Sequence, residues 1–157
     1  MNENSFRGEG SMNANLVMMK KVVDSKIPFA TIANTLGIEA VSISEGVAVL
    51  AMDTDTKKHA NPMGTVHGGV FTDLADLAMG SAFSTVIEED ESFTTIELKI
   101  NYLKPVWNDR LTATAKVMKK GGTVGLIECE VHDSKGSLVA YTTSTCMILR
   151  GEKKAGR

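Results

Sequence analysis

The sequence predicts an α+β domain in which an antiparallel sheet of about six strands wraps around one long central helix. Three observations predict it. From Val70 to Ile87 the only charged side chains are Asp73 and Asp76, so this stretch is apolar nearly all round and reads as a buried helix. The segments after it alternate apolar and polar residues with period two, as strands with one buried face do. Ahead of it, two short β-type runs meet at a turn.

The elements follow in order. Residues 14–36 have helical spacing, with Leu16, Met19, Val22, Val23 and Ile27 as the apolar stripe. Pro28 breaks the helix, because it can neither donate to the backbone ladder nor fit inside it. Gly37 is the expected C-terminal stop. GIEAVSI and VAVLAMD, separated by Ser44-Glu45-Gly46, form a hairpin. DTKKHANPMGTV is a loop by composition, with Asn-Pro as its turn signal. After the central helix, Ile96, Leu98, Ile100 and Tyr102 alternate with Glu97, Lys99 and Asn101. LTATAKVMKK and TVGLIECEVHD are joined at Gly121-Gly122, a strong hairpin signal, and Asp133-Ser134-Lys135-Gly136 turns the chain into SLVAYTTSTCMIL. The second half therefore reads as a four-stranded antiparallel meander.

Composition narrows the function classes. The chain has 157 residues, 43% hydrophobic and 23% charged, with a net charge of -2. That suits one globular domain over 14–149, with a mobile N-terminus at 1–13 and a mobile tail at 150–157. Without a long basic run there is no electrostatic footprint for nucleic acid. Two aspartates, a glycine and several hydroxyl residues argue against a membrane span at 70–87. No apolar h-region follows the start, and Cys129 and Cys146 make neither a disulfide framework nor a metal-ligand pattern. His59 and His132 have no partners at metal spacing, so no metal and no cofactor are expected, and the cytosol is the default compartment.

The chemistry concentrates where the central helix begins. His67-Gly68-Gly69 opens it, and the first N–H groups of a helix have no internal partners. Gly68 has no side chain to block an approaching ligand, and the helix dipole favours negative charge there. An N–H in that position suits an oxyanion developing on a carbonyl; the bland alternative is a tight turn into the helix. Asp76 could serve as a general base or a nucleophile, or be a partly exposed carboxylate bonded to Ser or Thr. His67 and Asp76 are nine residues apart. Along a helix that is about 13.5 Å, on opposite sides. One chain cannot easily bring both to one carbonyl, whereas two chains related by a two-fold axis can.

Asn61-Pro62-Met63-Gly64-Thr65-Val66-His67-Gly68-Gly69, followed by Leu74-Ala75-Asp76 and by a strand ending Asn101-Tyr102-Leu103-Lys104-Pro105, resembles the hotdog-fold acyl-CoA thioesterases of the phenylacetate-pathway (PaaI-like) branch. The resemblance spans roughly residues 30–149. It implies a sheet wrapped around the central helix, subunits paired edge to edge, and a homotetramer built from two homodimers. It further implies that Gly68 supplies the oxyanion-hole N–H and that His67 orients the thioester or the loop. Asn61 would help place the carbonyl or the water, and Asp76 of the partner subunit would activate water or attack directly. Thr95 falls where some relatives carry a hydroxyl that positions the water. Asp73 matches no catalytic position. Each residue also has a plainer reading: His67 as a hydrogen-bonded structural histidine, Asn61 as a turn former, Thr95 as a strand residue.

The expected function is hydrolysis of an acyl- or aryl-CoA thioester to free acid and CoA. A hotdog hydratase or dehydratase and a non-catalytic acyl-CoA binder are the alternatives. Lys57, Lys58, Lys104, Arg110 and Arg150 are the candidates for the CoA phosphates, and the nine methionines are either core filler or a deformable acyl pocket.

Overall fold

The computed structural model describes residues 13–25 and 30–154. Ile27 and Pro28, and the ends at 1–12 and 155–157, lie outside the described residues. Helix α1 spans Ala14–Ser25. Asn13 caps it, its Oδ1 accepting from Asn15 N at 2.8 Å, and its Nδ2 donates to Ile87 O at 2.7 Å. Leu16 is buried, and Met19 and Val23 pack against the core. Helix α2, Thr31–Leu36, stops at Gly37, which takes the left-handed conformation (φ 73°) that a glycine adopts without strain. Strands β1, Glu39–Ser44, and β2, Val47–Asp53, form the expected hairpin.

The segment expected to be a loop contains one helical turn, α3, Thr56–His59. Asp55 makes it possible, since its carboxylate accepts from Lys57 N at 2.9 Å. The central helix α4 spans Gly68–Ser84, ending three residues before Ile87. Thr85 stops it by turning its hydroxyl onto Ala82 O (2.6 Å) and accepting from Gly46 N (2.8 Å).

Strands β3 (Ser92–Tyr102), β4 (Arg110–Lys120), β5 (Val124–His132) and β6 (Leu138–Leu149) complete a six-stranded antiparallel sheet of order β1-β2-β4-β5-β6-β3. The meander therefore holds for β4, β5 and β6 but not for β3, which pairs with β6. A tight turn would have paired β3 with β4. Instead Leu103–Asp109, an irregular stretch containing Pro105, carries the chain across the sheet. This leaves β3 at the edge of the sheet, with β6 as its one strand neighbour among the described residues.

The edge position also corrects the expected buried face of β3. Leu98 and Ile100 are only half-buried, while Ile96 and Tyr102 are 55% and 53% exposed. Ile96 is the extra residue of a bulge, because Thr95 pairs with Cys146 and Glu97 with the next residue, Thr145. The bulge shifts the alternation by one, so Thr95 shares the inner face with Leu98, Ile100 and Tyr102.

Helix α4 packs against all six strands. Ala75, Ala78 and Ala82 are fully buried and let the helix sit close to the sheet. At Gly125 on β5 a Cβ would lie 2.1 Å from Phe83 Cε2, so the absence of a side chain there seats the Phe83 ring. That ring stands edge-on to Phe93, with centroids 5.3 Å apart. Glu91, whose side chain is 3% exposed, pairs with Lys120 at 3.1 Å and with Arg150, tying the loop after α4 to the end of β6. Burial pushes its pKa up, but the Glu88 N–H and the two cations outweigh burial and hold it below the ordinary value. A short 3-10 turn, Gly151–Lys154, follows Arg150, and Lys154 donates to Glu89 O at 2.7 Å.

Candidate active site

The start of α4 is fixed by a chain of local bonds. His59, buried, accepts from Asp55 N on its Nδ1 (3.0 Å), and its carbonyl accepts from His67 N (2.7 Å). Between them the chain loops through Asn61, whose Oδ1 accepts from Met63 N (2.9 Å) and whose Nδ2 donates to Thr65 Oγ1 (2.9 Å). Asn61 is thus a turn former in fact, and the same side chain borders the hollow in front of Gly68. His67 is the N-cap of α4: it is exposed, extended (φ -65°, ψ 140°), and its Nδ1 accepts from Gly69 N at 2.9 Å. Accepting on Nδ1 puts the ring proton on Nε2, which leaves Nε2–H as the one ring donor of neutral His67.

Of the first three helical N–H groups, Gly69 donates to His67 Nδ1 and Val70 to His67 O. Gly68 N–H makes no such bond among the described residues. Gly68 opens on a hollow of about 430 Å³ lined by Asn61, Thr65, Phe71, Tyr102, Lys104 and Pro105, among others. Sequence reasoning missed Tyr102 as a site residue. Its hydroxyl donates to Gly68 O (3.1 Å) and lies 3.3 Å from Thr72 Oγ1, which also donates to Gly68 O (3.1 Å). A Cβ at Gly68 would come within 2.7 Å of that hydroxyl, so the glycine is needed for the tyrosine as well as for any ligand. The period-two pattern placed Tyr102 on the inner face of its strand, but no local signal tied it to a residue 34 positions earlier.

The second group of residues lies further along α4. Asp76 is half-buried, and Thr95 Oγ1 donates to its Oδ1 at 3.3 Å. Burial pushes the Asp76 carboxyl above its ordinary pKa, the Thr95 bond works against this, and the neighbouring Asp73 charge adds to it. No cation pairs with it among the described residues. It borders a hollow of about 300 Å³ whose other walls include Met19, Leu77, Gly80, Phe93 and Thr95. Asp73 is exposed.

So Asn61, His67 and Gly68 gather at one end of α4, and Asp76 and Thr95 gather two turns on. The eight residues from Gly68 to Asp76 span about 12 Å of helix. Both places touch β3. Helix and strand run in opposite directions, so Gly68 meets Tyr102 while Asp76 meets Thr95. The cations divide as well. Lys104 is held by the buried Asp133 at 2.6 Å, Arg110 by Asp53 at 3.2 Å and by Glu39, and Arg150 by Glu91. Lys57 and Lys58 form no ion pair among the described residues.

A long helix wrapped by a six-stranded antiparallel sheet and entered through His-Gly-Gly is the architecture of the hotdog-fold thioesterases. The chain belongs to the thioesterase superfamily, whose sequence pattern matches residues 63–140, and its resemblance to the PaaI-like branch holds in three dimensions. It is similar to the Escherichia coli PaaI protein of the phenylacetic acid degradation operon, at 26% identity and a TM-score of 0.76 over 90% of this chain and 98% of that one. It is 31% identical to the 1,4-dihydroxy-2-naphthoyl-CoA hydrolase of Listeria monocytogenes over 119 residues, 76% of this chain and 96% of the relative. It is 30% identical to the medium/long-chain acyl-CoA thioesterase YigI of Escherichia coli, over 72% of this chain and 82% of the relative. The protein is thus a thioester hydrolase. None of its described helices is long and apolar enough to cross a membrane.

Proposed function

We propose that this protein hydrolyses acyl- or aryl-CoA thioesters at a site built by two copies of the chain, with Gly68 from one and Asp76 from the other. One observation carries the reading: β3, the long edge strand, touches both half-sites at its two ends. Antiparallel pairing of two β3 edges about a two-fold axis turns the Thr95 end of one strand towards the Tyr102 end of the other. Asp76 of the partner subunit is thereby brought to the Gly68 hollow, and the open edge of the sheet is covered. Two such dimers would then make the tetramer that the family resemblance implies.

The chemistry follows from the groups present. The thioester oxygen accepts from Gly68 N–H at the positive end of α4, with His67 Nε2–H as the neighbouring donor. Asp76 of the partner subunit removes a proton from water as the water oxygen adds to the carbonyl carbon. The tetrahedral intermediate expels the CoA thiolate, which takes the proton back from the Asp76 carboxyl. Products are the free acid and CoA. Thr95 holds the carboxylate in place, and Asn61 acts through the loop that sets the start of the helix. A carboxylate with a raised pKa is the stronger base. Of the five candidate cations, Lys57 and Lys58 form no ion pair among the described residues, and they are the two left for the CoA phosphates.

The test is release of CoA thiol, read with a thiol reagent, from phenylacetyl-, benzoyl- and octanoyl-CoA. Turnover of at least one, abolished in Asp76→Asn, supports the reading; binding without turnover makes the protein a silent binder. A single turnover in ¹⁸O-water assigns the role of the carboxylate. Label confined to the product acid is expected, whereas label in Asp76 would make it the nucleophile.

A further inference from the structure

Tyr102 enters none of the steps above, although it touches the peptide that follows the proposed oxyanion donor. The Gly68–Gly69 peptide is held from both of its sides. Its N–H goes to His67 Nδ1 at 2.9 Å, and its carbonyl accepts two hydroxyls, Tyr102 Oη and Thr72 Oγ1, each at 3.1 Å. The Thr72 bond is the ordinary back-bond of a helical threonine to the carbonyl four residues earlier. The Tyr102 bond is not local: it reaches from the last residue of an edge strand to the first residue of the central helix. The Tyr102 ring stands edge-on to Phe71, with centroids 6.0 Å apart at 72°. Even so the residue is 53% exposed, and its ring forms a wall of the hollow onto which Gly68 opens. A tyrosine at the rim of the hollow, bonded to a helix-terminal carbonyl, adds little to the core of its own chain, yet it fixes the rotation of the peptide next to Gly68.

We infer that Tyr102 is a positioning residue for the thioesterase reaction: its hydroxyl, with that of Thr72, anchors Gly68 by its carbonyl, while Val70 N–H on His67 O holds the preceding peptide, so that Gly68 N–H faces the substrate carbonyl before substrate arrives. The inference rests on the reading of Gly68 as the oxyanion donor. Prepaid orientation of a donor acts on the transition state more than on ground-state binding, so it appears in kcat rather than KM. The ring has a separate role, bounding the hollow, and its loss appears in KM.

Two variants separate these roles. Tyr102→Phe keeps the ring and removes the hydroxyl; kcat should fall ~3- to 10-fold, the range one hydrogen bond covers, with KM and Tm unchanged. Tyr102→Leu removes the ring as well, and KM should then rise in addition. Thr72→Val added to Tyr102→Phe should cost more than the product of the two single losses, because each hydroxyl alone still holds the carbonyl. The acid limb of the pH profile, set by Asp76, should be the same in all of them. An active parent protein with full kcat in Tyr102→Phe overturns this inference and leaves the thioesterase reading standing. A fall in Tm matching the loss of kcat overturns it too, since the role would then be purely structural. No turnover by the unaltered protein on any of the three CoA thioesters overturns both.

Discussion

At the scale of the residue, Asp76 is the proposed base, and its environment makes two demands that can be measured. A half-buried carboxylate with one weak hydrogen bond and no cation is harder to ionise in the fold than in the unfolded chain. It therefore contributes stability while protonated, fully below its unfolded pKa, and that contribution is lost as pH rises through the higher folded value. At neutral pH the charge is a burden on the fold. Asp76→Asn should raise Tm at pH 7 and lose the advantage below about pH 4. The same substitution should lower kcat ~10²- to 10⁴-fold and abolish the acid limb of the kcat profile, which lies above the usual carboxylate range. Asp73→Asn, on the exposed side of the helix, should leave kcat within about twofold. Greater loss from Asp73 than from Asp76 would show that the wrong acid has been assigned.

At the scale of the element, two glycines, Gly80 within α4 and Gly125 on β5, have opposite expectations. A Cβ at Gly125 would strike the fully buried Phe83 ring at 2.1 Å. Phe83 cannot swing away, so Gly125→Ala should destabilise by ~1–3 kcal/mol, a fall in Tm of roughly 2–12 °C. At Gly80 a Cβ meets Phe93 at 3.6 Å, an ordinary contact. There the helix gains from losing a glycine, and Gly80→Ala should raise Tm slightly. Equal losses at both positions would contradict this account of how helix and sheet pack. The elements were legible to different degrees in the sequence. Helix α4 and strands β4, β5 and β6 follow from periodicity and turn residues, which are local. The pairing of β3 with β6 is not local: nothing within β3 distinguishes one antiparallel neighbour from another. The bulge at Ile96 was hidden for the same reason, since alternation continues through it in the letters but not in the backbone. Asp55 and Thr56 could have signalled α3, because an aspartate before a short polar run is an N-cap pattern.

At the scale of the whole molecule, the site is legible as a list of residues but not as an arrangement. His67, Gly68 and Asp76 stand out because His-Gly-Gly at a helix start and an acid on an apolar helix are chemically unusual. Asn61 and Thr95 entered as site residues only by resemblance, and the bond from Thr95 to Asp76 crosses 19 residues. Tyr102 was missed because its contact with Gly68 exists only once β3 has docked along α4. That docking makes the central claim testable: each chain holds two half-sites about 12 Å apart, and two chains complete them. The most direct test refolds Asp76→Asn chains together with Gly68→Pro chains, each inactive alone. Proline is tolerated at the first position of a helix and removes the N–H, and its Cβ pushes the Tyr102 ring aside in the same half-site. Random pairing makes half the dimers hybrids, and in each hybrid one of two sites has both Gly68 and Asp76 intact. The mixture should regain about a quarter of the parent activity, in proportion to hybrid formed. Hybrids that form and stay inactive would contradict the shared site and place the whole reaction within one chain.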